Sequence, residues 1–285
     1  MTYRIIIVLF AVSLFSKGYP QTTNSRISFF IDQTVSNYDW NVAGDIYGRN
    51  PTVLSELFFN DINYTAIGLF YSYLYKDEEF TFSCNVSNNG KGKLTDIDYL
   101  NDNRQNIYNY EEYKINSIIY SSFALTWRHS LHVRKFFTAF LSTNLNYERH
   151  HIPIIEEASN LDSYYNFSIK HLGLSSGLGF RKTLHFELQN TIYLSKLNTE
   201  GFWNLRSNFK NPSFTQNGTG WTNDVSFLVA YPYRNFSIGL KTHYKTSFFK
   251  KGTDITHMAN GDEKTRLNEF NSNNLGANLY ISFLL

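Results

Sequence analysis

"LHFELQNTIYLSK", residues 184–196, sets apolar against polar residues at nearly every second position. Leu184, Phe186, Leu188, Ile192 and Leu194 fall on one side, and His185, Glu187, Gln189, Thr191 and Ser195 on the other. A period of two belongs to a strand, whose successive side chains point to opposite faces. One face of this strand suits water or fixed polar partners, and the other does not.

The pattern recurs along the chain. In "KINSIIYSSFALTW" (114–127), Ile115, Ile119, Phe123, Leu125 and Trp127 alternate with Lys114, Asn116, Ser122 and Thr126. In "KFFTAFLSTNLNY" (135–147), Phe137, Ala139, Leu141, Leu145 and Tyr147 oppose Thr138, Ser142, Asn144 and Asn146. In "FSIGLKTHYK" (236–245), Lys241, His243 and Lys245 turn away from Phe236, Ile238, Leu240 and Tyr244. Runs of roughly ten such residues match a tilted strand crossing the hydrocarbon layer.

Composition points the same way. Aromatic residues make up 18% of the chain, with 25 Phe and 21 Tyr, yet the mean hydropathy is -0.34. Apolar residues are dispersed singly between polar ones, the distribution a transmembrane barrel needs with lipid outside and a polar lumen inside. Trp127, Tyr147, Tyr231 and Tyr233 fit interfacial belts. Lys241, His243 and Lys245 beside His185 and Glu187 suggest a charged lumen filled by ion pairs.

Short connections fall near 76–79, 130–135, 181–183 and 232–235, and long polar ones near 42–51, 87–108, 150–165, 197–222 and 249–274. Five long loops alternating with four short turns join ten antiparallel strands. The last strand, "NLGANLYISFLL" (274–285), carries Leu275, Leu279, Ile281 and Phe283 on one face and Asn278, Tyr280 and Ser282 on the other. The expected fold is all-β: an antiparallel transmembrane β-barrel of about ten strands. A secreted β-sandwich with large loops, the alternative, has no use for apolar outer faces.

Residues 1–20 read as a secretory signal peptide, because Arg4 precedes an apolar run from Ile5 to Phe15 that is too short to span a bilayer as a helix. Residues 21–285 then form one barrel domain, destined for the outer membrane of a bacterium. A net charge of +2 gives no basis for nucleic-acid binding, and the lone Cys84 no disulfide framework. No phosphate loop, Cys/His metal cluster or Ser/His/Asp grouping is found, so no cofactor or metal is expected.

Strand and loop order resembles that of the omptins, outer-membrane proteases built on a narrow ten-stranded barrel. "NPTVLSELFF" (50–59) is similar to the omptin segment leading into the second strand. "GKLTDIDYLNDN" (92–103) is similar to the second outer loop, where an Asp-x-Asp pair followed by an aromatic residue is catalytic; Asp96, Asp98 and Tyr99 hold those positions. The resemblance implies an endopeptidase that cleaves at basic residues, with Asp96 and Asp98 activating water, and lipopolysaccharide as a partner. It also implies a His oriented by a further Asp in the fourth outer loop. Residues 195–224 contain no His, and their first acidic residue is Glu200. Asp254 and His257 of "GTDITH", in the fifth loop, are the nearest substitutes. The segment 38–59 equally resembles the Protochlamydia outer-membrane protein family of porin-like barrels, which implies no catalytic His. The expectation is therefore a porin-like or surface structural barrel, with the endopeptidase as the alternative.

Two further clusters compete for meaning. Asp96, Asp98 and Asp102, with Asn101 and Asn103, are also suited to capping turns or to holding a hard cation, though not at EF-hand spacing. His150 and His151 are followed by Glu156 and Glu157, but adjacent strand residues face opposite ways and cannot easily share a zinc ion. A place at the barrel rim is expected for the histidine pair.

Overall fold

Strands with one apolar face gain most by closing on themselves, since a ring leaves no unpaired edge in lipid. The computed structural model describes residues 24–156 and 160–285; the signal segment and Glu157 lie outside them. Ten strands form: β1 (Asn24–Val42), β2 (Ser55–Tyr75), β3 (Glu78–Asn101), β4 (Gln105–Arg134), β5 (Phe137–Glu156), β6 (Leu161–Arg181), β7 (His185–Phe202), β8 (Phe209–Tyr233), β9 (Phe236–Met258) and β10 (Gly261–Leu284). Each pairs antiparallel with its sequence neighbours, and β10 pairs with β1 to close the barrel.

The alternation read from the sequence sorts inside from outside. Leu174, Leu188, Ile192, Leu194, Leu240 and Leu279 stand exposed on the outer wall, with Leu194 at 72%. Ser142, Asn144, Ser175, Thr191, Ser226 and Asn278 are buried within. Ile115 departs from its expected face. Ser117 has a positive φ of 62°, so Ile115 turns inward and is buried while Ile119 remains exposed.

The four short turns lie where expected and residues 43–54 form the first long loop, but most of what read as the later long loops is strand. Residues 87–101 and 105–108 belong to β3 and β4, 209–222 to β8, and 249–258 and 261–274 to β9 and β10. Strands run from 18 to 30 residues, about twice what the hydrocarbon layer requires. Above the membrane both faces of the wall meet water or polar neighbours, so the hydrophobic contrast fades while backbone pairing continues. Polarity there mimics a loop.

Inside, aromatic rings from opposite walls meet across the lumen. Trp40 stacks between Phe59 and Phe270, with centroids 4.8 and 5.4 Å away. His150 stacks on Phe167 at 4.4 Å, and Tyr38 meets Phe167 edge-on at 4.8 Å. These side chains, from β1, β2, β5, β6 and β10, are almost fully buried. His150 thus lies within this plug rather than at the rim, and His151 faces the other way toward Asn166. Below the plug Glu148 of β5 pairs with Lys245 of β9 across the barrel, and Arg128 of β4 clasps Glu187 of β7 through two bonds of 2.9 and 2.8 Å. A polar cavity of about 740 Å³ opens beneath, toward the short-turn end.

Candidate functional site

The plug makes a floor, and above it the β3–β4 hairpin turns tightly at Asp102–Arg104. That turn fixes the register, so Asp96 sits opposite Glu111 and Asp98 opposite Asn109. The strands run inward-facing here through Leu94, which is fully buried. By period two Asp96 and Asp98 therefore also face the barrel mouth, on a strand rather than in the loop that the sequence suggested.

One side of this hairpin is fastened down. The buried Glu56 of β2 accepts two hydrogen bonds from Arg104, at 2.9 and 2.7 Å, and one from the Tyr99 hydroxyl at 2.9 Å. Asp102 accepts the Thr52 backbone N–H at 2.7 Å, and the Asn103 N–H is donated to Thr52 Oγ1 at 3.2 Å. Tyr99 and Asp102 thus serve as anchors. Among the described residues no group of three or more His, Cys, Asp or Glu side chains is arranged to hold a metal ion.

The carboxylates of the mouth are crowded. Burial, then the neighbouring Asp98 and Glu111, push the Asp96 carboxyl up to about 7, against a Ser55 hydrogen bond and the charge of Arg206. Burial raises Asp98 as well, opposed by Ser55, Arg206 and Asn109. A carboxyl poised near neutrality among neighbouring carboxyls can take up or release a proton in the working range of an enzyme. It also presents negative charge to a cationic ligand.

Asp254 comes near this group but His257 does not. Asp254, inward and buried, accepts hydrogen bonds from Gln216 Nε2 and Thr265 Oγ1, both at 2.8 Å. Asp96, Asp254 and Asp98 all bear electrostatically on Tyr165, whose hydroxyl, deeply buried, is driven well above its ordinary range. His257, an odd number of residues along the same strand, faces away and pairs with Asp262 and Thr215 at 2.9 Å each. The two do not form a convergent Asp-His pair.

Glu111, Tyr113, Tyr165 and Arg206 were not singled out from sequence. Tyr113 donates to Glu111 at 2.5 Å and meets Trp203 edge-on at 5.9 Å across the mouth. The hairpin itself was the available signal. A turn centred on 102–104 folds residues 105–113 back along 94–101, and the register, shifted by one at Asp98/Tyr99, sets "EEY" (111–113) against "LTD" (94–96).

No family model matches the chain, and no curated protein sequence does either. Solved structures do match. The outer membrane protease OmpT from Escherichia coli is 11% identical, with 95% of this chain and 99% of that one covered at a TM-score of 0.74. OprG from Pseudomonas aeruginosa is 9% identical over 92% and 96% at 0.41, and the translocator domain of NalP from Neisseria meningitidis 9% over 99% and 96% at 0.40. The chain has the fold of an outer-membrane β-barrel. The omptin-like architecture expected from strand order is shown; membership of the Protochlamydia family is not.

Proposed function

We propose that this protein is a non-conducting barrel of a bacterial outer membrane that presents an acidic cleft at its outer mouth to basic polypeptide segments. The aromatic plug carries this choice over a porin-like role, because Trp40, Phe59, Phe167 and Phe270 occupy the lumen where solute would pass. At Asp96 the charges of Asp98 and Glu111 add to its own, and the opposing charge that bears on Asp96 and Asp98 is that of Arg206. Such an arrangement attracts cations and concentrates them at the cleft. Refolded protein in a planar bilayer is expected to give no conductance steps while it binds oligolysine in solution; regular steps without binding would overturn the assignment.

A second reading rests on Asp96, whose elevated carboxyl beside Asp98 suits activation of water in an omptin-like endopeptidase. The missing convergent His weighs against it. A fluorogenic Arg-Arg peptide with lipopolysaccharide present tests it: cleavage abolished in Asp96→Ala supports protease action, and an uncleaved peptide removes it. For lipopolysaccharide, Lys170 and Lys196 are paired neighbours on the outer wall, in a groove with Leu145, Leu172, Leu194 and Trp221. Cations just above apolar side chains suit an anionic lipid headgroup. Lipid of the outer membrane would cover the belt below.

A further inference from the structure

The barrel wall is incomplete at its outer end. β4 and β5 pair only from Ile119 and His151 downward. Above that level, among the described residues, 105–118 of β4 pair with β3 and 152–155 of β5 with β6, and the two stretches do not pair with each other. Among the described residues no strand fills the gap between them. Exposed strand edges are normally blunted or covered, because their free N–H and C=O groups template another strand.

This edge is held ready rather than loose. The far side of the same hairpin is anchored through Glu56, Arg104 and Thr52, so the free side keeps its extended shape without a partner. Both side-chain rows of the edge carry an acid joined to a tyrosine: Glu111 with Tyr113 on the cleft side and Glu112 with Tyr110 on the outer side, each at 2.5 Å. A second copy of this chain is a poor occupant, since antiparallel self-pairing centred here would set Glu111 and Glu112 against their equivalents. An extended cationic segment meets complementary charge on both faces.

We infer that the free edge of β4 takes an extended, basic polypeptide segment as an added strand, closing the gap toward β5. This rests on the acidic-cleft assignment and specifies how the ligand's backbone is held. Backbone bonds then supply affinity with little sequence demand, and alternate side chains supply the preference for lysine and arginine. Asp96 and Asp98 lie one strand behind Glu111, within reach of a long side chain entering the cleft.

The test uses the full refolded protein in detergent micelles and a peptide alternating lysine with valine. Binding is followed by fluorescence anisotropy and amide exchange by NMR. Strand addition slows exchange by about tenfold or more at alternate amides within residues 105–118. Binding that leaves those amides unchanged, or slows them without alternation, overturns the added strand while the acidic cleft stands. Absence of binding, or binding undiminished in Glu111→Gln with Asp96→Asn, overturns the cleft assignment and the added strand with it.

Discussion

At Asp96 the cost of crowding has a definite sign. The folded carboxyl titrates near 7, whereas an unfolded Asp titrates near about 4. Between those values the native state holds the extra proton, so stability falls as pH rises through the interval and stays lowered above it. The expected loss is on the order of 2 kcal/mol, after allowing for the cleft's opening to solvent. Denaturant unfolding of the barrel in lipid vesicles at pH 4 and pH 8 measures it. Asp96→Asn is expected to flatten the difference, and an unchanged slope would show that the carboxylate is not crowded. Glu56 matters through its bonds, since it accepts from Arg104 and Tyr99 at once and is itself 5% exposed. Glu56→Gln loses the charge-assisted pair, at about 1–3 kcal/mol. Its signature is local: faster amide exchange at Asp102–Arg104 with little change in the plug.

Strand scale explains how the rings reach the lumen. Gly177 of β6 lies beside Phe140 of β5, and a Cβ there would overlap the Phe140 ring and the Leu188 carbonyl. Phe140 in turn carries Arg128 over its face at 3.9 Å. Gly177→Val therefore displaces the ring on which the Arg128–Glu187 pair is seated, an overpacking expected to cost about 1–3 kcal/mol. The folded and unfolded forms of a barrel separate on unheated gels, so a lowered temperature of conversion reads the loss directly. The membrane half of each strand was legible because lipid and lumen impose opposite demands on neighbours such as Leu188 and Gln189. Where lipid ends that contrast ends too, which is why β8 and β9 looked like loops beyond Thr222 and Phe249. The bulge at Ser117 was hidden for a different reason: no side chain announces a positive φ there, and its effect on Ile115 depends on the register with Gly92. Asp96 and Asp98 were legible as an acidic pair. Their neighbours Tyr165 and Arg206 were not, because closure of the ring, not sequence distance, brings them together.

For the molecule as a whole, two layers of side chains fill the lumen in series, and under the proposed function they bar it differently. The upper one is apolar and aromatic, built from Tyr38, Trp40, Phe59, Phe167 and Phe270. The lower one is the Glu148–Lys245 pair with His171, which is bonded to Ser195 at 2.7 Å and through it to Thr222 at 2.9 Å. Removing rings alone, as in Tyr38→Ala with Phe167→Ala, costs about 3–5 kcal/mol for the Phe and somewhat less for the Tyr. Ten strands of backbone pairing remain to hold the wall, and the polar groups beneath draw water into the space the rings leave. The charged layer still bars the path, so this variant is expected to conduct no better than the parent. Deleting one charge would leave the other buried and unpaired, a heavier loss than deleting both. Glu148→Ser with Lys245→Ser, added to the ring variant, removes both partners and connects the lower cavity to the outer cleft. Single-channel recording then separates the possibilities: silence in the parent and the ring variant, and steps in the fourfold variant, are expected. Conductance in the parent would mean that the rings part readily, and the closed-lumen assignment would fall with it.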